Sequence, residues 1–146
     1  MQKVLMTLTI LLSSVIVNGQ NRFIAISEPA IGLTHNELKL FLTGLLDGRD
    51  PKTANNSQKL TYTLDNSIIH AEYSIHRDSC LEVGIRFKNE NEFRQTVEEV
   101  VFNCQAIPNA ESLYYKITRT GRVVIYSINS DVKVITIQDQ NFILKP

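Results

Sequence analysis

The residues with the greatest capacity for chemistry lie together in one short stretch, HAEYSIH, which places His70, Glu72 and His76 at alternate positions. Imidazole and carboxylate groups in combination serve general acid/base catalysis or metal binding. Strand residues two apart are separated by roughly 7 Å, so His70 and His76 lie about 20 Å apart and cannot share one ion. His70 and Glu72 can do so if another element supplies a third ligand. All three are therefore candidate catalytic residues of a small hydrolase or metal-dependent enzyme.

The alternative for the same stretch is an ordinary solvated face of a β-sheet. The chain contains no Gly-x-Ser-x-Gly or His-Glu-x-x-His motif, either of which would favour a hydrolase or a zinc enzyme. The sequence therefore favours a non-catalytic protein and predicts no cofactor and no metal site. Neighbouring predicted strands offer polar residues for cross-strand pairs, each contributing about 0.2–1 kcal/mol: Lys59, Thr61, Thr63, Glu82, Arg86 and Lys88.

A second candidate site is a group of aromatic and basic residues on a predicted hairpin near the C-terminus. Tyr114 and Tyr126 lie on its two strands, and Arg119 and Arg122 flank its turn at Thr120-Gly121. Such residues suit contact with a peptide or a glycan, although about half of the side chains of an alternating strand must face the core. The polar stretch 49–58 is a further candidate, because long surface loops often carry binding residues.

The two cysteines, Cys80 and Cys104, are the only ones in the chain. An isolated pair in an oxidising compartment predicts a disulfide. It would close a loop of about 25 residues, for which the chain-entropy model gives a stabilisation of roughly 3 kcal/mol. A reactive thiol or half of a metal site is the alternative, but the paired ligand spacing of zinc sites is missing.

The first twenty residues have the pattern of an export signal. Lys3 is followed by an apolar run over residues 4–17 and by Val17-Asn18-Gly19, a tripeptide that a signal peptidase accepts. The run is shorter than the about 20 apolar residues of a spanning helix. We therefore predict a cleaved signal peptide over 1–19 and a single domain over 20–146. The mature protein would be secreted or periplasmic, with no transmembrane segment after cleavage.

The composition narrows the range of partners. The chain has 15 Lys plus Arg and 15 Asp plus Glu, so bulk charge gives no attraction to nucleic acid. The mature length of roughly 130 residues suffices for one domain with its own core. The expected function is that of a binding or accessory protein of the envelope or extracellular space, with a protein, peptide or glycan as partner.

The periodicity predicts an α+β fold in the order α-β-β-β-α-β-β-β. A capping box formed by Thr34 and Glu37 begins one helix, and Asn89 caps the other. Alternating segments predict an antiparallel sheet or sheets of about six strands, with the two helices packed on one face. Residues 21–32 read as an edge strand or an extended arm. The element order alone resembles the halves of secretion chaperones, but these act in the cytoplasm, and the export signal argues against that class.

Overall fold

The structure is a computed structural model that describes residues 22–55 and 60–143, so the predicted signal peptide lies outside the described residues. None of the helices in those two ranges has the length and apolar character of a membrane span. The helices are α1 (Arg22–Ser27), a 3-10 helix (Glu28–Ala30), α2 (His35–Leu45), α3 (Glu90–Asn103) and α4 (Gln140–Ile143). The strands are β1 (Lys52–Asn55), β2 (Leu60–Asp65), β3 (Ile69–His76), β4 (Ser79–Phe87), β5 (Gln105–Ala106), β6 (Leu113–Ile117), β7 (Val123–Asn129) and β8 (Val134–Asp139).

All eight strands form one antiparallel sheet in the order β1-β2-β3-β4-β8-β7-β6-β5. The first four strands make one meander, the last four make another, and the pairing of β4 with β8 joins them. One long helix stands directly before each meander, α2 before the first and α3 before the second. The α+β class, the antiparallel pairing and the alternation of helix and strands are thus as predicted.

Local sequence determines where the two long helices begin. At the start of α2, the backbone N–H of Thr34 donates to Glu37 Oε2 at 2.8 Å, and Thr34 Oγ1 accepts from the backbone of Glu37. At the start of α3, Asn89 Oδ1 accepts from the backbone N–H of Glu92 at 2.8 Å. These bonds satisfy amide groups that the first helical turn leaves without partners. Both predicted caps are present.

One face of the sheet carries the core. Ile135 and Ile137 on β8 and Tyr73 on β3 are completely buried, whereas the residues between them on each strand mostly face the other side. The inward faces of α1, α2 and α3 complete the same cluster through residues such as Phe23 and Leu38. Burying one large aliphatic side chain contributes about 1.5–3 kcal/mol. The opposite face of the sheet therefore has no comparable helical cover among the described elements.

The structure differs from the prediction in the number of strands. The described residues form eight strands rather than about six, because the polar stretch 49–58 contains β1 and the two-residue β5 follows α3. Both are edge strands. The three residues of β1 whose exposure is described are all exposed, so β1 does not need the apolar alternation by which the inner strands were recognised.

The expectation of an edge strand or extended arm over residues 21–32 is wrong. This stretch forms α1 and the 3-10 helix, and it buries Phe23, Ile24, Ser27, Ala30 and Ile31. Their spacing of i, i+1, i+4, i+7 and i+8 is that of a helical face. Pro29 stands in the first turn of the 3-10 helix, where its missing N–H removes no helical bond.

Candidate functional site

His70 lies on the face of the sheet that is turned away from the long helices. Its Nε2 is 3.3 Å from Glu72 Oε1, and its Nδ1 is 3.8 Å from Asp65 Oδ2 on the neighbouring strand. Lys88 Nζ donates to Asp65 Oδ1 at 2.5 Å, and this hydrogen bond is the main reason why the pKa of Asp65 is lowered. Arg86 lies opposite His70 on β4. Carboxylate, imidazole and guanidinium groups thus form one row across three strands.

The other histidines lie elsewhere. The ring of His76 contacts that of Phe142 in α4, with centroids 4.7 Å apart. His35 is at the start of α2, where its Nδ1 lies 3.1 Å from the hydroxyl of Tyr62. Within residues 22–55 and 60–143, no three His, Cys, Asp or Glu side chains come together as a metal site. The sequence candidates His70 and Glu72 therefore meet each other, and His76 does not join them.

The side chains of the hairpin group do not form one surface. Tyr126 is completely buried, and its hydroxyl donates to Glu28 Oε2 at 2.5 Å. Tyr114 lies directly opposite Tyr126 on β6, on the same inner side of the sheet, and is partly buried. Arg119 is exposed in the turn. Arg122 instead pairs with Asp139, whose side chain is only 1% exposed.

Gly32 explains how the Arg122 guanidinium is accommodated. Its φ of +94° falls in the left-handed region, and an added Cβ would lie only 2.5 Å from Arg122 Nη2. Glycine is the residue that meets both demands, since it adopts positive φ at no steric cost and has no side chain. The guanidinium thus packs against the loop after the 3-10 helix while it neutralises Asp139.

A polar cluster at the junction of helices and sheet was not predicted. We call it the Glu28 cluster, and it consists of Glu28, Glu99, Cys104, Lys116 and Tyr126. Lys116 Nζ lies 3.0 Å from Glu28 Oε2 and 3.2 Å from Oε1. Glu99 Oε2 is buried and makes no hydrogen bond with any described residue. Burial raises the pKa of Glu99 to about 7 and that of Cys104 to about 11.

Sequence patterns offer only a partial signal for this cluster. Glu99 precedes the buried Val100 and lies three residues after the buried Thr96, which places it at the edge of the apolar face of α3. Glu28 and Lys116 are 88 residues apart in the chain. No local period connects such a pair, so only the fold reveals it.

The two cysteines are free thiols. Cys80 is the second residue of β4 and is buried, with its Sγ 3.8 Å from the carbonyl oxygen of Glu82. Cys104 ends α3, next to the β5–β6 edge. Two strands, β8 and β7, lie between β4 and β6, which corresponds to roughly 14 Å across the sheet. A disulfide requires Cα atoms within about 7 Å. The structure therefore does not form the predicted bond.

The outer face also carries a set of apolar side chains on β6 and β7. Val124 and Tyr126 are completely buried on the helix side, so their neighbours on β7 point the other way. Ile117 is 63% exposed, and the rest keep part of their surface exposed. We call this set the apolar strip. It consists of Leu113, Tyr115, Ile117, Val123 and Ile125.

No protein-family model, no curated protein and no solved structure matches this chain. The two candidate surfaces, the row around His70 and the apolar strip, therefore rest on geometry alone.

Replacing Arg122 by methionine should destabilise the protein, because Asp139 would stay buried without its cation. We expect the free energy of unfolding to fall by about 2 kcal/mol, below the usual cost of breaking a fully buried pair because the Arg122 side chain is 37% exposed. Urea denaturation measures the change. The matched variant R119M, in the exposed turn, should change stability by no more than about 0.5 kcal/mol. Equal effects of the two substitutions would contradict the role given to Asp139.

The free thiols predict a definite pattern of alkylation. In denaturant without reductant, both cysteines should be labelled. In the native protein at about pH 8, Cys104 should react slowly, because a pKa of about 11 leaves roughly a thousandth of it as thiolate. Cys80 should react more slowly still, because burial raises its pKa to about 12. Mass spectrometry measures both. An unlabelled mass in denaturant would instead reveal the Cys80–Cys104 disulfide.

Proposed function

We propose that this chain is exported and works outside the cytoplasm as a non-catalytic binding module, with the apolar strip as its binding surface. The single observation that carries the proposal is the position of the strip. Its side chains lie on the face of the sheet that α1, α2 and α3 leave uncovered. Exposed apolar side chains that are contiguous, rather than scattered, are typical of interaction sites.

The chemistry of the strip favours an extended peptide segment of another protein as the ligand. The strip has no charged residue, so it offers no selective attraction to an ionic ligand. It contains one aromatic side chain, Tyr115, whose hydroxyl donates to Gln105 on β5. Apolar contacts along two adjacent strands match the alternate side chains of an extended peptide, which project at the same period as the strip. The strip offers one aromatic side chain for contact with a glycan but four aliphatic side chains for contact with a peptide.

The polar half of the same face is less suited to binding. Its polar side chains already interact with one another, as His70 does with Glu72 and Lys88 does with Asp65. A ligand would have to replace those interactions rather than add to them. The alternative function, a small hydrolase or metal-dependent enzyme, is favoured by the 3.3 Å contact of His70 with Glu72, which resembles an acid/base pair. Both side chains are well exposed, at 38% and 56%, and an ordinary contact between polar neighbours on a solvated strand face accounts for the geometry equally well.

Export can be tested on the expressed full-length chain. We expect the mature protein to be found in the periplasm or medium with Gln20 as its N-terminus, because the tripeptide before it suits a signal peptidase. Cell fractionation followed by intact mass measurement reads both location and cleavage. Retention of the full-length mass inside the cell would contradict the proposal.

Binding can be tested by selecting displayed peptides on the purified protein and measuring the affinity of the enriched sequences. We expect enrichment of extended peptides rich in Val, Ile, Leu and Phe. The substitution I117S should weaken their binding at least about tenfold, because it removes an apolar contact at the ligand. The matched control is L40S, which removes an equally exposed apolar side chain, 68% against 63%, from α2 on the other side of the molecule.

Two results would oppose the binding proposal. One is an absence of enriched peptides, and the other is equal weakening by I117S and L40S. Metal analysis of the same preparation, together with hydrolase assays of wild type and H70A, tests the enzyme. Stoichiometric metal or an activity that H70A abolishes would favour that alternative.

A further inference from the structure

The Glu28 cluster joins the N-terminal segment, residues 22–30, to the second meander. Glu28 accepts hydrogen bonds from Lys116 on β6 and from Tyr126 on β7. These are the side-chain hydrogen bonds that fix this segment to the sheet among the described residues, and they supplement the apolar packing of Phe23, Ile24 and Ala30. The attachment of the segment therefore depends partly on charge.

Glu99 is the unusual member of the cluster. Its Oε2 is enclosed yet accepts no hydrogen bond from any residue that the structure describes. A buried carboxylate oxygen without a donor is costly, more so when another carboxylate lies nearby. Protonation removes this cost, because a neutral carboxyl is far cheaper to bury than a charged one. The arrangement in which residues 22–30 lie against the sheet and enclose this oxygen, which we call the closed state, thus favours the protonated form of Glu99.

The groups that face Glu99 come from four elements. Glu28 belongs to the 3-10 helix, Cys104 to the end of α3, Lys116 to β6 and Tyr126 to β7. Burial raises the pKa of both Cys104 and Tyr126, so neither thiol nor phenol ionises in the neutral range. Lys116 is the one cation in this set. With Glu99 protonated, one carboxylate of the cluster, that of Glu28, balances Lys116; with Glu99 ionised, the cluster holds two carboxylates and one cation.

We propose that the Glu28 cluster is a pH-sensitive contact, which holds residues 22–30 firmly against the sheet when Glu99 is protonated and loosens them when Glu99 ionises. Loosening lets water reach the enclosed carboxylate. The segment that responds begins two residues after Gln20, the predicted N-terminus of the mature protein, so the attachment of the mature N-terminal region to the sheet would depend on the pH of the compartment.

The direction of the pH dependence follows from the raised pKa. In the closed state Glu99 titrates at about 7, against 4.5 for a solvated glutamate. Closure is therefore fully favoured below about pH 4.5, weakens as the pH rises to about 7, and then stays constant. The whole difference between these two pKa values corresponds to a change of about 300-fold in the equilibrium between the attached and the loosened segment. Because Glu99 is partly exposed, screening by solvent reduces this, and we expect about tenfold.

Hydrogen exchange of the purified protein tests the proposal. We compare protection factors, because these are corrected for the intrinsic pH dependence of exchange. For the amides of residues 22–31 they should fall about tenfold between about pH 5 and about pH 7.5. In E99Q, which cannot ionise at this position, the fall should be less than about twofold. The matched control E98Q changes an exposed glutamate on the same helix, and it should behave as wild type.

Two results would overturn the proposal. One is a set of protection factors in the wild-type protein that does not change with pH. This measurement does not depend on whether any variant folds. The other is a fall in E99Q as large as that in wild type. NMR titration of the Glu99 side-chain carboxyl provides an independent reading, because a midpoint near that of a solvated glutamate would also overturn it.

Discussion

The pairing of β4 with β8 is the contact on which the rest of the structure depends. It aligns residues far apart in the chain, such as Arg86 with Val134, and turns two four-stranded meanders into one sheet. Either meander alone would expose an apolar face that a single helix cannot cover. Joined, they present one continuous face, which α1, α2 and α3 cover together. The one-sided core follows from this pairing, and so does the free outer face.

A second consequence is that the polar side chains divide into two groups with different tasks. On the inner side, Lys116 neutralises the mostly buried carboxylate of Glu28, and Arg122 neutralises the buried carboxylate of Asp139. Buried charges of this kind are tolerated only when they are paired. On the outer side, His70 and its neighbours interact in the presence of water, where such pairs contribute little to stability. Residue type alone did not distinguish these groups, since Arg119 and Arg122 are three positions apart, yet Arg122 pairs with the buried Asp139 and Arg119 is exposed in the turn.

The parts of the fold that the sequence predicted are those with a local physical cause. Alternation marked the inner strands because one face of each is buried, and the residues Thr34 and Asn89 marked helix starts because backbone amides need acceptors there. The edge strands β1 and β5 have no buried face among the residues whose exposure is described, and therefore no alternation of apolar and polar residues, so they were not predicted. The helical spacing of Phe23, Ile24 and Ser27 was present but was outweighed by the apparent break at Pro29. A helix over this stretch could have been predicted.

Less of the candidate site could be predicted from the sequence, because the site depends on contacts between residues that are far apart in the chain. Alternation placed His70 and Glu72 on one face correctly, and the structure brings them together. It could not tell that Tyr126 is an interior residue bonded to Glu28, or that β8 and β7 lie between the strand of Cys80 and the β5–β6 edge next to Cys104. The apolar strip was missed because its residues alternate with equally apolar neighbours, so that both faces of β7 are hydrophobic and the pattern gives no direction.

The strand order also has a consequence for how the chain folds. Within each meander, consecutive strands pair through short connections, so these contacts form between residues close in sequence. The β4–β8 contact brings together segments separated by the whole of α3 and three further strands. Closing so long a loop is entropically costly before any pairing compensates it. We therefore expect the two halves to acquire structure first as separate helix-and-meander units, and the union of β4 with β8 to be the slow step that completes the native state.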